Sequence, residues 1–516
     1  MKMKRINKLI SLLYVACFLL FLAGCTKEDI EYADTAPVIS GLEPEYYVLV
    51  REKLELSPQI ENEVDSVEWL LDNKKIANTV NYTFEALNVP GVSRLILRAY
   101  NTGNIVQKNV TITTGRFANI RTAPNKLVWL EASDVFTGKE RVNWDVLTAP
   151  SSLFRLVPSD TRTGLFLSFE KGVYQLRASS GELADTVIVT VQRDLKSQSP
   201  YIAQVFDYLP APGQFVNELP KYTEGDTQEE MNEKVARQLV GEDANMITLG
   251  GWGGYVVLGF DHTVINLPDK RDFRIYGNAF GASANPRPNA PFGGSCEPAL
   301  VMVAYDKNKN GKPDDDEWYE IKGSGNFTAE SEPWYQAAVE NGNDVRTFRD
   351  YEMTYYKPET EEPDQSGVVD DPKLYATINK YIRWTDNQGQ EGYKIKNIYH
   401  TQTYYPAWIK ENKVTYKGVR LSNNSIDESK QGSYYVLYAF QYGYVDNYPN
   451  SHDNSGIDID WAIDKDGNKV DLPGIDFVKV YNGIDQENGW LGEASTEVGR
   501  GEDLHLLGIS IDTIKE

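Results

Sequence analysis

A chain of 516 residues exceeds what one hydrophobic core organises, and a prior of about 150 residues per domain divides it into roughly three. Its apolar content of 41% and aromatic content of 12% support packed cores along most of the length and exclude wholesale disorder. Against 52 Lys and Arg stand 75 Asp and Glu, a formal net charge of -23, and that field opposes nucleic acid and anionic lipid surfaces while suiting calcium.

The first residues address the compartment. Lys2, Lys4, Arg5 and Lys8 precede an apolar run, Leu9 to Ala23, that is too short for a membrane span, so residues 1–24 read as a secretory signal. Its end, Leu22-Ala23-Gly24-Cys25, resembles the lipobox of bacterial lipoproteins, which implies cleavage before Cys25, acylation of that cysteine and a lipidated tether over 25–36. The next residues, Thr26-Lys27-Glu28-Asp29, resemble the export signal of Bacteroidetes lipoproteins, which implies the outer face of the outer membrane, with membrane contact through the lipid alone. Cys17 leaves with the signal, so Cys296 is the one thiol left, and it reads as a small buried hydrophobe.

Residues 37–115 alternate as short strands (YYVLV, KLELS, SVEWLL, YTFEAL, SRLILRAY, KNVTITT) between turn signals at Asp72-Asn73-Lys74 and Asn101-Thr102-Gly103. This predicts a small sandwich with Trp69 in its core, and the segment resembles the PKD and immunoglobulin-like modules of secreted bacterial proteins. Residues 116–196 repeat the format, with turns at Gly172 and Gly181, and predict a second Ig-like module. Neither segment holds a titratable cluster, so the pair reads as a stalk.

Residues 197–516 predict one large, jelly-roll-like β-sandwich, making the fold class mainly β. Within 222–243, Met231, Val235 and Leu239 recur at helical spacing amid charges and predict one surface helix; beyond it every segment has β character. Gly250, Gly251, Gly253 and Gly254 open a strand without a Walker lysine, so they serve close backbone approach or a bulge and not a phosphate. The stretch Asp306 to Glu317 places Asp306, Asn308, Asn310, Lys312, Asp314 and Glu317 at loop positions one, three, five, seven, nine and twelve, with Gly311 at six. That is the oxygen-ligand order of a calcium loop, here between strands and not helices, so structural calcium is the expected cofactor and a solvated hairpin is the alternative.

The histidines His262, His400, His452 and His505 are isolated, and HExxH, GxSxG and Cys/His patterns are missing, so no catalytic residue is assigned. His400 precedes an aromatic run and has the chemistry to reach a metal-bearing macrocycle or a sugar hydroxyl. Trp252, Tyr276, Trp384, Tyr404, Tyr405, Trp408, Tyr444 and Trp490 sit at or near turns, and flat rings with polar tips suit sugar faces and broad macrocycles alike. The candidate ligand set is Trp252, Tyr276, Trp384, His400, Tyr404, Tyr405, Trp408 and Tyr444, with two or three rings expected on an open face. Asp446, Asp458, Asp460, Asp464, Asp466 and Asp476 also cluster, and a carboxylate pair among them would suit glycoside hydrolysis.

The segments GGWGGYVVLGFDHTVIN, FRIYGNAF, EPALVMVAYDKNKNGKPDDDEWYEIKGS, IRWTDNQG, HTQTYYPAWI, FQYGYVDN and IDFVKVYNG together resemble the large C-terminal domain of Bacteroidetes surface lipoproteins that carry PKD-like N-terminal modules. The resemblance implies a non-catalytic surface protein that accompanies an outer-membrane, TonB-dependent transporter of corrinoids such as vitamin B12. A glycan-binding lipoprotein of a polysaccharide-uptake system is the second reading, and a glycoside hydrolase the third.

Overall fold

The computed structural model describes residues 36–514 apart from 50–52, 88–90, 116–118, 134–135, 137–140, 193–196 and 284–287. The expected signal over 1–24, Cys25 and the expected tether up to residue 35 lie outside the described residues. The chain is mainly β and forms two compact units, Met1–Gly115 and Arg116–Glu516. Among the described residues no helix is long and apolar enough to cross a membrane.

In the first unit a five-stranded sheet runs in the order Glu45–Leu49, Asn104–Gly115, Gly91–Asn101, Ser66–Leu71, Lys74–Ala77. Alternation sets its inner face: Leu95, Leu97 and Ala99 are buried at every second position and pack with Trp69, whose indole N–H donates to Thr79 O (3.1 Å). Asp72 and Asn73 both take positive φ (47° and 67°) between the paired Leu71 and Lys74, the primed two-residue turn that matches strand twist.

The second unit begins with two facing sheets. One runs Asn119–Thr122, Leu183–Val191, Gly172–Ser180, Asn143–Thr148; the other runs Val128–Glu131, Thr163–Ser168, Phe154–Pro158. Strand Thr163–Ser168 is buried on both faces. Phe166 turns to Tyr174 (5.0 Å between rings), while Leu165 enters the large core downstream and Leu167 packs with Ile265 and Leu267. Arg155 pairs with Asp471, and Thr263 N–H donates to Asn125 O (3.0 Å). The stalk reading of this module is therefore corrected: a three-stranded sheet with two apolar faces needs two partners, and the following β structure supplies the second.

That structure is built on a six-stranded antiparallel sheet, Gln204–Ala211, Gly251–Ile265, Gly474–Asn482, Ala299–Ala304, Tyr319–Ile321, Ala462–Ile463. A four-stranded sheet, Glu391–Asn397, Ala376–Asp386, Phe348–Tyr356, Lys413–Arg420, carries a second aromatic core. The helix is Gln228–Leu239, buried along Met231, Val235 and Leu239 and begun by a reciprocal cap between Thr227 and Glu230. A second helix, Tyr335–Asn341, departs from the all-β expectation; alanines 337 and 338 favour it, and Gly342 ends it at φ 84°.

The glycine cluster allows close approach, as its place at a strand entrance suggests. A Cβ on Gly254 would lie 1.9 Å from Leu249 O and 2.3 Å from Ala211 N, inside the Ala211 N–H···O Leu249 hydrogen bond (3.0 Å). Gly254→Ala should therefore lower stability by about 3 kcal/mol, read as a fall in the urea midpoint, because no side chain can rotate out of the way.

Candidate functional site

Between Ala299–Ala304 and Tyr319–Ile321 the 306–317 segment forms a strand-loop-strand. The Asp306 carboxylate accepts the N–H groups of Asn310 (3.0 Å) and Gly311 (2.7 Å), and Gly311 adopts the left-handed φ of 75° that closes the turn. Asn308 and Asn310 both donate side-chain N–H to one Asp314 oxygen (2.5 and 2.7 Å), and Lys312 N–H donates to Asn310 Oδ1 (2.8 Å). Buried Glu317 accepts the N–H groups of Lys307 (2.8 Å) and Asp314 (3.1 Å). Asn308 and Asn310 thus turn amide N–H groups to Asp314 while their oxygens accept loop N–H groups, and the oxygens of Asp306, Asp314 and Glu317 do not all lie within 4.8 Å of one another, so the loop is closed by its own hydrogen bonds and the expected ligand oxygens are not brought to one point.

The candidate ligand aromatics separate into core and surface. Trp252, Tyr404 and Tyr405 belong to the aromatic core under the four-stranded sheet, Trp408 to the core beside the helix and Tyr444 to a third cluster, so these five are corrected from ligand to core residues. Each buries its ring because its polar tip finds a partner inside. Trp252 Nε1 donates to Val419 O (3.2 Å), Tyr405 Oη to Glu411 O (3.0 Å), Trp408 Nε1 to Gln228 Oε1 (2.9 Å) and Tyr444 Oη to Asn326 Oδ1 (2.6 Å). Tyr404 Oη accepts from Asn397 N (3.0 Å) and donates to His400 O (3.1 Å). Half-buried Tyr276 lies under the Arg500 guanidinium (4.6 Å), and half-buried Trp384 lies across its strand partner Gly392.

His400 remains at the surface, with partners the sequence did not single out. Its ring meets Phe215 edge to face (4.8 Å between centroids), and the adjoining Ile398 and Tyr399 are 40% and 63% exposed. Trp490, 40% exposed, joins them: Asn397 Nδ2 donates to Trp490 O (3.3 Å), and Gln214 Nε2 donates to Leu491 O (3.1 Å). Gln402 also bonds Gln214 O, so three loops, 213–217, 397–405 and 485–493, are tied into one face. Partial burial lowers the proton affinity of His400, opposed in part by Glu493.

Beneath this face lies a buried ion cluster. Lys394 pairs with Glu493 and reaches Glu487 at 3.6 Å, and Glu493 also accepts Gln214 N–H (2.5 Å). Burial alone would lower the Lys394 proton affinity; Glu493, Glu487 and Asp485 outweigh it and keep the ammonium charged. Burial pushes Glu487 up to about 7 against the pull of Lys394.

A second acidic centre has no counterpart in any spacing of the sequence. Oxygens of Glu297, Asp446 and Glu497 lie within 4.8 Å of one another. Asp446 accepts N–H from Asn278 (2.6 Å), Ala279 (2.7 Å) and Glu497 (3.1 Å), Glu497 accepts from Ser495 Oγ (2.8 Å) and Asn278 Nδ2 (3.0 Å), and Glu297 accepts from Ser495 N (2.9 Å). These donors are neutral, so the cluster can keep protons or take a hard cation.

No family model matches the chain, and no curated protein matches it. The solved structures it resembles are tandem immunoglobulin and fibronectin modules. Titin domains Z1Z2 in complex with telethonin match at 16% identity over 31% of this chain and 99% of theirs, with a TM-score of 0.16. The fibronectin(III)-like modules of Clostridium thermocellum CbhA match at 14% identity over 31% of this chain and 97% of theirs, with a TM-score of 0.16. The insect immune protein hemolin matches at 15% identity over 33% of this chain and 49% of its own, also at 0.16.

Proposed function

We propose that this chain is a non-catalytic, lipid-anchored surface protein that captures a ring-bearing nutrient on the face formed by Phe215, Ile398, Tyr399, His400 and Trp490 and hands it to an outer-membrane transporter. The observation that carries the reading is that face itself. Exposed Ile398, Tyr399 and Trp490 and the touching, half-buried rings of Phe215 and His400 come from three loops that hydrogen bonds tie together. The Cys25 lipobox supports the anchor and the surface location, and the family resemblance favours a corrinoid over a glycan. Calcium in the 306–317 loop acts as a structural clamp, because both flanking strands belong to the six-stranded sheet and the loop has no flanking helix to swing. Non-catalysis is supported by the pairing of Glu487 and Glu493 with Lys394.

Calorimetry of the full-length protein with cyanocobalamin and with soluble neutral polysaccharides tests the reading. Trp490→Ala and Tyr399→Ala should each weaken binding of the recognised ligand by about tenfold or more while shifting stability by less than about 0.5 kcal/mol. Unchanged affinity in both variants would remove this face from consideration.

A further inference from the structure

The turn Asn488–Gly492 carries Trp490 at its tip; inside it Leu491 N donates to Asn488 O (3.2 Å), Gly492 N to Gly489 O (3.0 Å) and Asn488 N to Gly492 O (2.7 Å). Its ties to neighbouring loops are the side-chain amide bonds from Gln214 to Leu491 O (3.1 Å) and from Asn397 to Trp490 O (3.3 Å). Glycines with left-handed φ, 57° at Gly489 and 80° at Gly492, flank the tryptophan. Under the turn, two buried amide oxygens have no hydrogen-bond partner: Oε1 of Gln214, which is 4% exposed, and Oδ1 of Asn488, which is 1% exposed. Gln214 Oε1 occupies the space that a side chain at Gly492 would need, 1.9 Å from an ideal Cβ there. The turn therefore presses directly on an unsatisfied acceptor, which costs free energy for as long as it stays down.

Around it carboxyl groups outnumber the single cation. Glu487 and Glu493 are carboxylates, Asp485 lies close enough to act on both Glu487 and Lys394, and the Lys394 ammonium is enclosed between the two glutamates with its side chain 4% exposed. An anionic ligand would meet this acidic floor without reaching the lysine. A donor-bearing ligand would satisfy the orphan oxygens and offer a ring to Trp490.

We propose that the Asn488–Gly492 turn is a flap whose underside presents hydrogen-bond acceptors, so that this face selects uncharged ring ligands rich in donors, hydroxyls or primary amides, and rejects anions. The inference rests on the ligand-binding reading of the Trp490 face. It deepens that reading by fixing the ligand's chemistry, which a neutral sugar and a carboxamide-bearing macrocycle share.

The experiment is calorimetry of the full-length protein with four probes, maltoheptaose, cyanocobalamin, polygalacturonate and heparin, alongside hydrogen exchange of the Leu491 and Gly492 amides. Binding of either neutral probe, lost in Trp490→Ala and weakened about tenfold in Gln214→Met, supports the proposal and identifies the source, sugar or macrocycle. The same ligand should slow exchange at both turn amides, a readout on the unaltered chain that does not depend on any variant folding. Binding of either anion as tightly as the neutral probes, dependent on Trp490, overturns the acceptor assignment and leaves the face as a binding site. Turn amides as protected without ligand as the neighbouring strand amides overturn the flap. No Trp490-dependent binding of any probe overturns the flap and the ligand-binding reading together.

Discussion

Lys394→Met should destabilise the second unit by about 3–5 kcal/mol, the usual consequence of removing one member of a buried ion pair. Lys394 sits in strand Glu391–Asn397 with its side chain 4% exposed, and its ammonium is what makes carboxylates at Glu493 and Glu487 tolerable there. Without it, Glu487, already held at about 7 by burial, binds its proton still more tightly. A carboxylate whose folded pKa is raised contributes stability that is full below its unfolded value and is lost as pH rises through the folded one. The defect should accordingly be larger at pH 8 than at pH 5. Lys394→Met combined with Glu493→Gln should recover much of the loss, because the second change removes an orphaned charge. Urea midpoints of the single and double variants at both pH values check this, and a single-variant loss below about 1 kcal/mol would show that the ion cluster does not hold the 485–493 loop.

That cluster also shows where sequence reading stops. The helix was legible because Met231, Val235 and Leu239 repeat at its period, and Thr227 with Glu230 mark its start. The 306–317 loop was legible because its oxygen order is local and the flanking β-branched and aromatic runs say strand. Turn proximity misled for the rings. Tyr404, Tyr405 and Trp408 do follow a turn, yet each finds an internal partner for its polar tip, and that satisfaction is a tertiary fact. Half-buried Phe215 meets His400 because loops distant in sequence converge there, and exposed Tyr399 adjoins it; neither stands in a pattern that would have singled it out. Lys394 alternates within an ordinary strand, and Glu297, Asp446 and Glu497 come from three separate segments, so spacing carries no trace of either ion cluster.

In chelator, the stability of the second unit should fall as pH rises from about 5 to 9, and calcium should restore it at the alkaline end. Burial foremost, with the charges of its neighbours second, raises Glu297 well above the carboxylate range and Glu497 to about 8; burial takes Asp446 to about 7. Folded-state pKa values above the unfolded ones make stability full below about pH 4 and progressively lost through pH 7 to 8, at roughly 1.4 kcal/mol per pH unit for each proton retained only in the folded state. His262 adds a slope of the same sign. Burial pulls its pKa down, but Asp261 and Asp503 outweigh that and raise it to about 9, so its contribution is full below about 6.5 and fades above that. The difference between the unaltered chain and Glu297→Gln/Glu497→Gln isolates the carboxylates, and the variant's profile should be flatter. A cation that binds only the native state stabilises it by mass action, so millimolar calcium should raise the urea midpoint at pH 8 more than at pH 5, where protons occupy the cluster. Asp306→Asn/Asp314→Asn, measured in parallel, assigns the ion. Loss of the calcium response in that variant places it in the 306–317 loop, and loss in Glu297→Gln/Glu497→Gln places it among Glu297, Asp446 and Glu497. A profile flat across pH 5 to 9 and indifferent to chelator and calcium would falsify both the retained protons and the cation.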